Sequence, residues 1–215
     1  MESVKLVARD VRQASRLACG RTKGKRDKEI AAPEDYTGPS AIERDFIGAL
    51  AEFAVASYYD LKVNTDTSGT DSGYDYMVEL NGQRATVDVK GYTHLKPRLL
   101  VTEGSVTADY YIHTRVNLDE YSVDCEKAEY QISPNSIVTE RLSGEDDETD
   151  RIRKSLSDAV IVDLLGWLPK QQVLDAEVMT HKSDPSHTVP RAKLEPIPDP
   201  SSIQPFDPQS WFDRK

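Results

Sequence analysis

The chain has 215 residues and a mass of 24.1 kDa, room for one domain of ordinary size with appendages. A hydrophobic content of 38% supports a packed core and argues against global disorder, and no run nears the roughly 18 consecutive apolar residues of a membrane span. Acidic residues outnumber basic ones, 37 to 27, and the two cysteines, Cys19 and Cys125, are too few for a disulfide framework or a zinc ligand set. With no apolar segment in Met1-Glu2-Ser3-Val4-Lys5 to read as a secretory signal, a reducing cytoplasm is the expected location.

Residues 3–19 carry Val4, Leu6, Val7, Val11, Ala14, Leu17 and Ala18 at helical spacing, which predicts a first helix. Nine Lys or Arg against four acids fall within the first thirty residues, so a basic segment precedes an acidic body. That asymmetry suits a polyanion approached from one side, and equally an ordinary solvated helix face. The 22 Asp against 13 Lys match the surface bias of proteins working in concentrated salt. Residues 20–39, rich in Gly, Lys and Pro, read as a loop. Ser40-Ala41-Ile42-Glu43 is a capping box, the serine hydroxyl taking the N3 amide while the glutamate reaches back. The helix it starts runs to about Tyr59.

Short strands are expected at Leu61–Thr65, Gly73–Leu80, Arg84–Tyr92, Arg98–Thr102 and Tyr110–Val116. Residues 141–158 read as a charge-rich loop or exposed helix. Ala159–Leu165 reads as a buried strand, Gly166-Trp167-Leu168-Pro169 as a strand-to-helix turn, and Pro169–Val178 as a short helix. Seven prolines from Pro185 onward predict an extended tail that wraps the body or hangs free. The expected organisation is a basic helix and loop over 1–39, a mixed α/β domain over 40–180, and a Pro-rich tail over 181–215.

Chemistry concentrates in residues 73–90. Asn81-Gly82 between alternating runs predicts a two-residue hairpin. In that register Tyr76 opposes Val87 and Tyr74 opposes Val89 on an apolar face. On the other face Asp75 opposes Asp88, with Lys90 beside it. Two carboxylates facing each other across a ladder, with Cβ atoms about 5 Å apart, repel unless a positive charge lies between them. A divalent, oxygen-seeking cation such as Mg²⁺ or Mn²⁺ resolves that repulsion. Glu52 is a second anomaly, the sole charge in the apolar window Phe46–Ala56. A carboxylate buried in a helix must bind a cation or pair with an arginine. Gly48, one turn earlier, removes bulk and would let another backbone approach.

Gly48-x-x-x-Glu52 on a helix, then Asp75, then Asp88-Val89-Lys90 on a hairpin, resembles the PD-(D/E)XK nuclease superfamily over residues 40 to about 116. Tyr74 stands where the nominal motif has proline, and no Gln-x-x-x-Tyr motif follows the lysine. The resemblance implies a restriction-endonuclease-like α/β core: helix, three-strand meander, helix and strand. It implies that Asp75, Asp88 and the Val89 carbonyl hold Mg²⁺ or Mn²⁺, that Glu52 joins through water or completes a second site, and that Lys90 positions the attacking water. The catalytic set is then Glu52, Asp75, Asp88 and Lys90. A lysine among carboxylates stays protonated, which favours electrostatic help over general-base work.

Other polar residues carry weaker signals. His94, Lys96 and Arg98 follow the catalytic strand, where they could meet phosphates at the edge of a cleft or simply sit in a solvated loop. His113 and Arg115 alternate on a strand and could line the same groove. His181, His187 and Asp184 match no strong metal spacing, and Asp66 and Asp71 lie in a polar loop. The reading is a divalent-metal-dependent nuclease hydrolysing DNA phosphodiester bonds, with DNA as partner and no membrane. Many members of the superfamily cut both strands as homodimers. The alternative is a non-cleaving DNA-binding or assembly protein that retains the nuclease fold.

Overall fold

The computed structural model describes residues 1–27, 41–65, 67, 73–93, 98–118, 120–124, 129–133, 138–141, 160–180 and 185–206. Ser40, with its capping box, and the charge-rich segment 142–158 lie outside them.

The N-terminus departs from the helical reading. Glu2–Leu6 is a strand, β1, and helix α1 begins only at Ala8, running to Asp27. Val4 and Leu6 lie two apart, a spacing that fits a strand as well as a helix in so short a window, and both are buried. The Asp10 side chain accepts the Val7 amide at 3.3 Å, the acidic half of a capping arrangement, and so fixes where the strand gives way to the helix. The helix continues seven residues past the expected loop boundary at Gly20. Cys19, on α1, is disulfide-bonded, which the cysteine count did not suggest; Cys125 lies outside the described residues.

Helix α2, Ala41–Tyr59, is followed by strands β2 (Tyr76–Leu80), β3 (Gln83–Tyr92), β4 (Arg98–Thr102) and β5 (Tyr110–Val116). Leu61–Thr65 forms no strand. Strands β6 (Glu120–Asp124), β7 (Glu129–Ser133) and β8 (Val138–Arg141) make a separate antiparallel meander. Strand β9, Val160–Pro169, is longer than the expected buried run and takes in the Gly166–Pro169 segment, whose Trp167 ring stacks on Tyr110 at 4.5 Å. Pro169 caps a single helical turn, α3 (Lys170–Leu174), and the residues expected to extend it become β10 (Glu177–Met179). The tail supplies β11 (Ser186–Pro190) and β12 (Ile203–Pro205), so it wraps the body.

The central sheet has the order β1-β9-β5-β3-β2-β12, with β3 and β5 parallel and every other pair antiparallel. This is a mixed α/β arrangement. Both ends of the chain build it, since β1 and β12 are its edges. Strand β4 stands apart from this sheet and pairs with β11 in a second sheet of order β10-β11-β4.

Alternation on the central strands divides two cores. Ala85, Val87, Val89, Ile112 and Val116 face α1 and α2 in one cluster with Phe46, Leu50 and Val55. Tyr111 and Leu168 face the second sheet, packed with Leu99, Val101 and Val189. Burial of a large aliphatic side chain is worth about 1.5–3 kcal/mol, so each face is an independent source of cohesion.

Candidate active site

The hairpin forms in the expected register. Asn81 and Gly82 have φ of 51° and 78°, the positive values a primed turn requires, and Tyr76 pairs with Val87, Val78 with Ala85, and Leu80 with Gln83. Regular pairing ends at Tyr76. The Asp75 amide bonds to the Val87 carbonyl at 2.9 Å, and the Asp75 carboxylate accepts the Val89 amide at 2.7 Å, taking the place of a main-chain acceptor. Tyr74 accordingly packs against the second cluster, under β4 and β11, and does not join Val89 on the helix side as expected. A loss of register at a strand end re-aims the side chains beyond it.

Burial, the strongest influence, pushes the Asp75 carboxyl well above its ordinary range; the charge of Glu52 comes next and that of Asp88 third. The Val89 amide and Lys90 oppose this without overcoming it. The acid meets Glu52 more strongly than the cross-strand partner the hairpin pattern named.

Asp88 is buried on β3, and the Lys90 ammonium pairs with its Oδ2 at 2.7 Å. Both residues lie beside β5, where Asp88 is level with Tyr111 and Lys90 with His113. The next residue, Gly91, decides how closely the helix can come. A Cβ there would lie 2.8 Å from that of Ala51 and 3.0 Å from the Ile47 carbonyl, so only glycine lets α2 settle against this strand. The close approach expected at Gly48 is absent, since a Cβ at Gly48 would meet nothing within 4 Å. The glycine that sets how closely α2 meets the sheet stands on the strand.

Glu52 is 4% exposed. Its two carboxylate oxygens receive both terminal nitrogens of Arg21, from α1, at 2.5 and 2.9 Å. Arg21 also donates to the Asn64 carbonyl at 3.3 Å. Burial alone would lower the Arg21 pKa; the hydrogen bond and charge of Glu52, with Asp75 and Asp45 behind them, raise it. The Tyr76 hydroxyl donates to the Glu52 main-chain carbonyl at 2.7 Å and ties β2 to the helix at this point.

The basic N-terminal segment is therefore partly spent inside the fold. Besides Arg21 on Glu52, Lys25 pairs with Asp45, and Asp45 also accepts the Thr22 hydroxyl at 2.8 Å. Arg21 was legible only as one of nine basic residues. Its role depends on a partner 31 positions away.

His94, Lys96, His181, Asp184, Asp66 and Asp71 lie outside the described residues. Arg98 is exposed at the start of β4, opposite Pro190. The Arg115 guanidinium binds Asp163 on β9 at 2.7 Å. His113 is fully buried, edge-on to the Tyr92 ring at 5.1 Å, with neither ring nitrogen hydrogen-bonded among the described residues. Burial, then Arg191, lowers its pKa to about 4. His187 is also buried without a partner for either nitrogen among those residues.

Among the described residues, no group of three or more His, Cys, Asp or Glu side chains could hold a metal ion. Two carboxylates remain beside Lys90, Asp88 in its ion pair and Asp75 on the Val89 amide, where burial and then the charges of Glu52 and Asp88 raise the Asp75 carboxyl against Lys90. That donor set fits Mg²⁺ or Mn²⁺, because Mg²⁺ keeps several waters and takes one or two carboxylates from a protein. No helix among the described residues is long and apolar enough to cross a membrane. No family model, curated protein or solved structure matches the chain.

Proposed function

We propose that the chain is a divalent-metal-dependent nuclease that hydrolyses DNA phosphodiester bonds, on a restriction-endonuclease-like core. The observation that carries this reading is the Asp75 carboxylate seated on the Val89 amide at 2.7 Å, next to Asp88 and its ion-paired Lys90 on the same strand, where burial and like charge raise it. Acids held above their ordinary range by burial and like charge are characteristic of sites that bind cations or move protons.

Asp75 and Asp88 would hold Mg²⁺ or Mn²⁺, with the Val89 carbonyl beside them. When bound, the ion supplies charge at the phosphoryl oxygen and lowers the pKa of an attacking water. Lys90, held on Asp88, keeps a positive charge at the point where a phosphate gathers negative charge in the transition state. The Val89 amide holds one Asp75 oxygen, and Gly91 sets the depth at which α2 meets the strand. The nine basic residues near the N-terminus contribute less to DNA attraction than their number suggests, since Arg21 and Lys25 are bound to acids of α2.

The experiment is incubation of the protein with plasmid, linear and single-stranded DNA, in Mg²⁺, Mn²⁺ or EDTA. Cleavage that needs metal, and that Asp88→Ala and Lys90→Ala abolish without loss of folded circular dichroism, is the expected result. An inert wild type under every condition favours the alternative, a DNA-binding or assembly protein that retains the fold. The pairing of Glu52 with Arg21 and of Asp88 with Lys90 would leave such a protein folded without any metal.

A further inference from the structure

We infer that Arg21 withdraws Glu52 from the metal ligands and serves as a permanent second cation of the site, so that one divalent ion, held by Asp75 and Asp88, is all the chain binds there. This rests on the nuclease reading. Both Glu52 oxygens face the guanidinium fork of Arg21, a two-point geometry that a carboxylate and an arginine match closely. The fork is held from a third direction by the Asn64 carbonyl. Arginine keeps its proton at any working pH, so Glu52 is not released by titration of its partner. A Glu52 that turned to a metal would deprive a half-buried guanidinium of its two-point carboxylate partner, an unfavourable change.

The charges of Asp75 and Asp45 also act on Arg21, behind that of its direct partner. Lys25, one turn further along α1, is engaged elsewhere, on Asp45. Arg21 is in this sense a positioning residue: it acts on the ion through Glu52, by deciding which carboxylates are available.

The test is a manganese titration of the full chain, followed by calorimetry and by the electron paramagnetic resonance signal of free Mn²⁺. The wild type is expected to bind one ion. Arg21→Met, which removes the charge and keeps most of the bulk, should bind a second ion or hold the first about tenfold tighter. The double variant Arg21→Met/Glu52→Gln should return to the wild-type isotherm, which identifies Glu52 as the ligand gained. Binding by Arg21→Met that matches the wild type overturns the inference, as does a wild type that already takes two ions. If Arg21→Met fails to fold, Glu52→Gln decides: an isotherm within about threefold of the wild type supports the inference, and a loss of tenfold or more overturns it. A wild type that binds no manganese and cuts no DNA overturns the nuclease reading itself, an outcome distinct from one-site binding that Arg21→Met leaves unaltered.

Discussion

Asp75 and Asp163 are acids of the same central sheet with opposite fates. Asp163, on β9, accepts Ser3 at 2.7 Å, Asn117 at 3.1 Å and Arg115 at 2.7 Å. Burial would raise its carboxyl, and these donors outweigh burial and hold it below its ordinary range. Asp75, just before β2, is pushed the other way by burial and by Glu52 and Asp88, which outweigh the Val89 amide and Lys90. Two Asp side chains thus separate into one that fastens the sheet and one that burial and like charge hold above its ordinary range. Burial presses both upward, and the neighbours decide the outcome.

The largest expected effect that sharpens this contrast is on activity. Asp75→Asn should lower metal-dependent plasmid cleavage by on the order of 10³-fold while the melting temperature stays level or rises. The second is on stability. Asp163→Ala removes the four hydrogen bonds from Ser3, Asn117 and Arg115, strands the Arg115 guanidinium, and should cost about 3–5 kcal/mol in urea unfolding. If Asp163→Ala proves harmless and Asp75→Asn unfolds the protein, the division of roles is wrong.

His113 sets a third measure. Its pKa is lowered from 6.5 to about 4, so the unfolded chain takes a proton before the folded one does. The stability contribution is full above pH 6.5 and is lost as the pH falls toward 4. Wild type is expected to lose on the order of 2 kcal/mol between pH 7 and 4.5, and His113→Phe to lose less over that window, measured by urea midpoints. Asp163, with its lowered carboxyl, acts at more acid pH: its contribution is present above the unfolded value of 3.8 and lost as pH falls through the folded one.

The smallest effect concerns Asp75 and pH. Its folded carboxyl is raised, so the relative stability it allows is present below the unfolded value of 3.8 and lost as pH rises through the folded value. Asp75→Asn should therefore gain stability relative to the wild type at neutral pH, and that gain should vanish in acid, read from urea midpoints. Saturating Mn²⁺ should erase the difference by stabilising only the wild type, read as a shift in its melting temperature.

Much of this site was legible in one dimension. The hairpin turn, the pairing of Tyr76 with Val87, and the neighbourhood of Asp88 and Lys90 follow from Asn81-Gly82 and a period of two. The anomaly of Glu52 among apolar residues was also visible, as was the choice between a cation and an arginine. Which of the two Glu52 takes was not. The N-terminal strand was hidden because Val4 and Leu6 satisfy both periods, and only the partner β9 decides between them. The glycine at the helix contact was sought on α2 and stands on β3, since close approach belongs to a pair of elements and neither one announces it alone.

What the residue order settled by itself was local: a primed turn, its register, the alternation that separates charged from apolar faces, and an acid that needs a positive partner. These rest on backbone geometry over a few residues. What the tertiary structure decided was the arrangement of distant charges. Arg21 meets Glu52 from 31 positions away, and Asp75, seated on the Val89 amide, comes under the charge of Glu52 from the helix as well as that of Asp88. The physical reason is that burial sets the cost of each charge, and only the packed chain determines which opposite charge is near enough to offset it.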